Sequence, residues 1–98
     1  MPEEIKHINI SVKGKVQGVF FRASTKAVAD QMGVKGFVKN LKDGSVYIEA
    51  EGKSSFLDMF VDWCNEGPDK SVVENVEVTE GEFKDFKNFE VVKKNLLW

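Results

Sequence analysis

Ninety-eight residues suffice for one domain that buries roughly two-thirds of its unfolded surface, so neither a disulfide framework nor a structural metal is needed. The single cysteine, Cys64, excludes an intrachain bridge and reads as a small buried apolar residue. The net charge of −2 hides an uneven distribution: residues 1–42 carry eight basic and three acidic side chains, residues 43–98 six basic and thirteen acidic. So acidic a second half would repel a phosphate backbone, which argues against long nucleic acids, whereas the basic half suits a small anionic ligand. Met1-Pro2-Glu3-Glu4 has neither a basic nor an apolar signal region, and no apolar stretch approaches spanning length. A soluble cytoplasmic protein with no membrane partner is expected.

From Lys6 to Lys13 the residues alternate, with Ile8, Ile10 and Val12 on one face and His7, Asn9, Ser11 and Lys13 on the other. That period of two is a half-buried strand. His7 is the only histidine, lies on the polar side without a cysteine or second histidine nearby, and reads as an exposed bystander; no metal is expected. The strand runs into Gly14-Lys15-Val16-Gln17-Gly18-Val19-Phe20-Phe21-Arg22, and a helix runs out. Two glycines four positions apart permit a tight path on which successive amide N–H groups turn inward on an anion, and a following helix N-terminus favours negative charge. Arg22 closes the stretch and is the only arginine against thirteen lysines. It is a planar, bidentate binder of phosphate or carboxylate, placed where the cradle ends.

Phe21, Thr25, Val28, Ala29 and Met32 recur at helical spacing before Gly33, which predicts a helix over about residues 22–32 with a glycine cap. Phe20 and Phe21 are neighbours and cannot both face one way, so at least one belongs to the core. Val34 to Leu41 and Ser45 to Glu51 read as strands joined in a hairpin through Lys42-Asp43-Gly44, with Val46, Ile48 and Ala50 facing in and Tyr47, Glu49 and Glu51 facing out. Asn40, near the end of the first, is a turn residue or a functional amide, and local sequence favours the turn. Phe56, Leu57, Phe60, Val61 and Cys64 form a second helical stripe, opened by Ser54 or Ser55 as N-cap, flanked by Trp63 as packing mass and ended by Gly67-Pro68. Val72 to Val78 reads as a fourth long strand, Phe89 to Val92 as a candidate short final one, and the tail Asn95-Leu96-Leu97-Trp98 as packing at an edge or fraying.

The order β-α-β-β-α-β predicts an α+β, ferredoxin-like split βαβ sandwich forming a single domain over residues 1–98. Its four-stranded antiparallel sheet carries both helices on one face, with room for a short fifth strand. Architecture alone leaves function open.

At these residues the chain resembles the acylphosphatase family. The signature Gly-x-Val-Gln-Gly-Val-x-Phe-Arg stands unbroken as Gly14 to Arg22, and a second signature stands as Gly36-Phe37-Val38-Lys39-Asn40, Gly44-Ser45-Val46 and Gly52. The resemblance covers essentially the whole domain. It implies a metal-independent, cofactor-free hydrolase that splits the carboxyl–phosphate anhydride of acyl phosphates into carboxylate and inorganic phosphate, the latter also a competitive inhibitor. It further implies that the amides of Lys15, Val16, Gln17, Gly18, Val19, Phe20 and Phe21, with Arg22, hold the phosphoryl group. Asn40 is then the residue that positions the attacking water, in place of the turn role that local sequence favours. The chemistry suits these residues. A carboxylate leaving group, whose conjugate acid has a pKa of about 4, departs without an enzymatic acid, and phosphoryl transfer asks mainly for positioning and charge stabilisation.

Other readings of the topology fit less well. Lys35-Gly36-Phe37-Val38 begins like an RNA-binding motif, but Lys39 and Asn40 stand where the next aromatic is needed. A metal carrier needs paired cysteines. A non-catalytic anion sensor could keep the loop and Arg22 but has no use for Asn40. With no heptad pattern or extended apolar run, a monomer is expected, although an edge near residues 89–92 could pair.

Overall fold

The structure is a computed structural model that describes residues 3–93; the tail from Asn95 to Trp98 lies outside the described residues. The chain forms β1 (Ile5–Lys15), α1 (Phe21–Met32), β2 (Lys35–Asn40), β3 (Val46–Lys53), α2 (Ser54–Glu66), β4 (Val72–Gly81) and β5 (Phe89–Val92). The sheet order is β4-β1-β3-β2-β5. β1 lies antiparallel between β3 and β4, and β2 pairs antiparallel with β3. This is the expected α+β ferredoxin-like arrangement with one addition. β5 joins β2 in parallel, so the sheet is five-stranded and mixed. The parallel sense has a physical cause: residues 82–88 leave β4 at one edge and cross the sheet to the other, and the chain arrives there running the same way as β2.

The period-two alternation does its expected work on the helix-covered face. Ile10 sits opposite Ile48 and Val12 opposite Val46, and these join Phe21, Ala29, Leu57, Phe60, Cys64 and Phe89 in one apolar core. Gly33 ends α1 with its N–H on the carbonyls of Ala29 and Asp30. Burial in this core pushes the Cys64 thiol up to about 12, well away from thiolate chemistry at neutral pH. Among the described residues no helix is long and apolar enough to cross a membrane.

Two local expectations change. Ser54 and Ser55 do not cap α2, because the helix begins directly after β3 and places both serines in its first turn, where their own N–H groups need acceptors. Glu3 supplies one: its carboxylate accepts the Ser55 N–H at 2.7 Å, and the Ser54 N–H donates to the Glu4 carbonyl at 3.0 Å. The Ser55 hydrogen bonds hold the Glu3 carboxyl below its ordinary range.

The second change concerns the other face of the sheet. His7 is 3 % exposed and Glu51 2 %, so neither the histidine nor the outward-facing glutamates of β3 stand in solvent. The segment 82–88 covers them. The Glu51 carboxylate accepts the backbone N–H groups of Lys84 and Phe86 and lies 2.7 Å from His7 Nδ1. Glu49 accepts from Lys84 Nζ at 2.9 Å and from the Tyr47 hydroxyl at 2.8 Å, with His7 Nε2 at 3.2 Å. The Phe86 ring packs on His7 and edge-on against Phe37. A carboxylate with two strap amides as donors pins irregular backbone much as a cap pins a helix end.

Burial alone would raise the Glu49 and Glu51 carboxyls, but the donors around them outweigh it and hold both below the ordinary carboxylate range. Because the folded pKa values lie below the unfolded ones, the stabilisation is present above about pH 4.5 and is lost as pH falls through the folded values. Glu51→Gln should therefore lower stability at pH 7 by about 1–3 kcal/mol, and the gap to wild type should close as pH is lowered below about 4. Urea melts at pH 7 and pH 3.5 check this; an equal gap at both would rule out the carboxylate as the anchor.

Candidate active site

β1 delivers the chain to the loop through an irregularity. Its register with β4 shifts between Lys13 and Gly14, and a Cβ on Gly14 would run into the Val72 carbonyl. Beyond the strand, Gly18 has φ 74° and Phe20 φ 61°, both left-handed, with Val19 of ordinary hand between them. Alternating hand of this kind turns successive N–H groups toward one concavity, and Phe20 is also the N-cap of α1. Left-handed backbone at a phenylalanine costs about 1–3 kcal/mol and needs its surroundings to hold it. Phe21 does the holding: it is 1 % exposed, packed on Trp63 with ring centroids 5.5 Å apart, while Phe20 is 83 % exposed. The pair thus divides as expected, one ring in the core and one outside.

Arg22 and Asn40, 18 residues apart in sequence, line one cleft of about 360 Å³ with Val16, Gly18, Phe20, Phe21, Ala23, Val91 and Lys93. Arg22 Nη1 donates to the Val92 carbonyl at 2.7 Å, which holds the guanidinium beside the cleft that Arg22 lines. The Asn40 Oδ1 is buried, and no hydrogen bond to it is made among the described residues. The hairpin turn that local sequence assigned to Asn40 is made a few residues later. Asp43 accepts both the N–H and the hydroxyl of Ser45, and those bonds hold its carboxyl below the ordinary range.

Not all of the loop reaches the cleft. Lys15 is the last paired residue of β1, opposite Val72, with an exposed side chain, and Val19 faces a neighbouring cleft. The Gln17 side chain turns away to the hairpin, where Nε2 donates to the Leu41 carbonyl at 2.8 Å and the Ser45 carbonyl at 2.9 Å. This clamp, a role beyond a backbone amide, ties the loop to the turn immediately after Asn40. A polar side chain flanked by Val16 and Gly18 is the signal for it, but the sequence does not name the acceptors. Two further features escape sequence reasoning, the Val92 carbonyl behind Arg22 and Lys93 at the rim, because both depend on where β5 docks.

The acylphosphatase family model matches residues 8–91. An acylphosphatase from Syntrophus aciditrophicus is 45 % identical over 87 residues, covering 85 % of this chain and 91 % of the relative. Among solved structures, an acylphosphatase from Coxiella burnetii superposes with a TM-score of 0.87 at 38 % identity, covering 90 % of this chain and 93 % of that one. One from Bacillus subtilis also gives 0.87, at 37 % identity over 91 % and 99 %. The chain belongs to the acylphosphatase family. Its activity is that of an acid anhydride hydrolase acting on acyl phosphates.

Because Gln17 sets the distance between loop and hairpin, Gln17→Ala should lower kcat by about tenfold or more while the protein stays folded, since small misplacements of reacting groups are costly. Circular dichroism with steady-state kinetics checks this, and unchanged kcat would reduce the clamp to a packing detail.

Proposed function

We propose that the cleft hydrolyses the acyl phosphate by in-line attack of water on phosphorus. Of the loop amides at residues 15–21, those of Val16, Gly18, Phe20 and Phe21 border the cleft and, with the guanidinium of Arg22, hold the phosphoryl oxygens, the amides supplying dipoles and Arg22 the full charge. The Asn40 Oδ1 accepts a hydrogen bond from the attacking water and aims its lone pair at phosphorus; it removes no proton, because a carboxamide is not a base. The water proton passes to the substrate phosphate. The carboxylate leaves unassisted, as its conjugate acid has a pKa of about 4. What supports this reading is that Asn40, from β2, and Arg22, from α1, line one cleft with Gly18 and Phe20 of the loop.

Inorganic phosphate, as product, fits the same donors and is a competitive inhibitor in this scheme. A metal-independent enzyme acting as a cytoplasmic monomer completes the reading. Arg22→Ala should abolish phosphate binding and turnover together. Asn40→Ala should lower kcat by two orders of magnitude or more, about 3 kcal/mol, with a smaller effect on phosphate affinity. Benzoyl phosphate hydrolysis in excess chelator, with phosphate titrated in, reads all of this at once. Near-wild-type kcat in Asn40→Ala, or phosphate inhibition undiminished in Arg22→Ala, would contradict the assignment.

A further inference from the structure

The register of the sheet sets Gly81, His7, Glu51 and Lys35 in one row from β4 to β2, and Phe89 opens β5 beside Gly36, at the end of that row. The strap formed by residues 82–88 crosses the sheet here, with Phe86 on His7 and two of its amides on Glu51. We infer that Glu51, on the sheet face away from the helices, is a positioning residue for Arg22: by holding the strap it fixes β5, and with β5 the guanidinium on which phosphate affinity depends. The inference rests on the proposed role of Arg22 as the phosphate binder.

Neighbouring strands lie about 4.8 Å apart, so the row from β4 to β5 spans about 19 Å, whereas the chain from Gly81 to Phe89 reaches about 27 Å when extended. The strap therefore has slack, and Glu51 takes it up. Its carboxylate accepts the N–H groups of both Lys84 and Phe86, with left-handed backbone at Asp85, φ 58°, between them. Such backbone at a residue other than glycine persists where an outside partner holds it. The strap passes directly into β5: the Gly36 N–H donates to the Asn88 carbonyl at 2.9 Å, and Lys26 and Arg22 donate to the carbonyls of Phe89 and Val92. β5 is paired on one side only, and its Val91 and Val92 are half-buried. Every strap residue but Phe86 is exposed, so the strap opens at far less cost than global unfolding. Once it opens, the slack passes to β5, Val92 leaves β2 for a larger share of the time, and Arg22 loses its acceptor. Phosphate favours the docked form and restores it at saturation, so weakening the strap raises KM more than it lowers kcat.

Glu51→Gln weakens the strap from beneath, and Phe86→Ala weakens it from within by removing the ring that packs on His7 and Phe37. Inorganic phosphate titrated by calorimetry at pH 7 should bind each folded variant about fivefold more weakly than wild type, and KM for benzoyl phosphate should rise more than kcat falls. Glu3→Gln is the control, since it loosens the start of α2 and touches neither strap nor β5; its phosphate affinity should match wild type. Wild-type affinity in the two strap variants, or an equal loss in Glu3→Gln, overturns the inference. Coupling is reciprocal, so saturating phosphate should slow amide hydrogen exchange at Lys84 and Phe86 of the wild type about fivefold and leave Ser55 unchanged. Unchanged exchange at the strap overturns the inference without recourse to any variant. Phosphate binding undiminished in Arg22→Ala would instead overturn the proposed function and, with it, this inference.

Discussion

The hydrogen bond from Arg22 to the Val92 carbonyl, at 2.7 Å, joins the foot of α1 to the end of β5. One turn on, Lys26 donates to the Phe89 carbonyl at 2.9 Å while pairing with Asp30, so the same helix grips the same edge strand twice. These contacts give acceptors on an edge strand their donors and remove rotamer freedom from Arg22, the residue proposed to meet phosphate. A guanidinium fixed before the ligand arrives loses less entropy when it binds. The position of the Arg22 guanidinium therefore depends on β5, a strand of four residues.

That strand in turn depends on the opposite face of the sheet. β5 can lie beside β2 only because residues 82–88 cross β1, β3 and β2, and the crossing is fastened by Glu51 beneath it. The sheet thus has two unlike faces. One buries aliphatic and aromatic side chains under helices, and the other buries His7, Glu49 and Glu51 under a strap whose N–H groups and Lys84 supply the donors. Between them, at the end of the sheet where β1 and β2 finish, the cleft is lined by the loop, by Arg22 of α1 and by Asn40 of β2. Gln17 keeps loop and hairpin in step.

Much of this is legible in the residues themselves. Ile8, Ile10 and Val12 mark a strand face, Phe21 to Met32 a helical stripe, and Gly14, Gly18 and Arg22 an anion cradle, because each signal is local and has a period or a special backbone need. What is not legible is what covers a polar face. Alternation tells that His7 and Glu49 point away from the apolar core, and only the path of residues 82–88, some 75 residues after His7, decides that they are buried. The cap of α2 hides for the same reason, since Glu3 lies fifty-two residues from Ser55. Asn40 shows the limit at the site. Its type and position fit a turn equally well, and the family resemblance, not the local pattern, is what points to chemistry there.

The central claim is that water attacks phosphorus, not the acyl carbon, at the loop and Arg22. Hydrolysis of benzoyl phosphate in water enriched in oxygen-18 tests it most directly, with the label traced by mass spectrometry after a single turnover. The account predicts oxygen-18 in inorganic phosphate and unlabelled benzoate. Label in benzoate would mean attack at the carbonyl carbon, and the role assigned to Asn40 would be wrong.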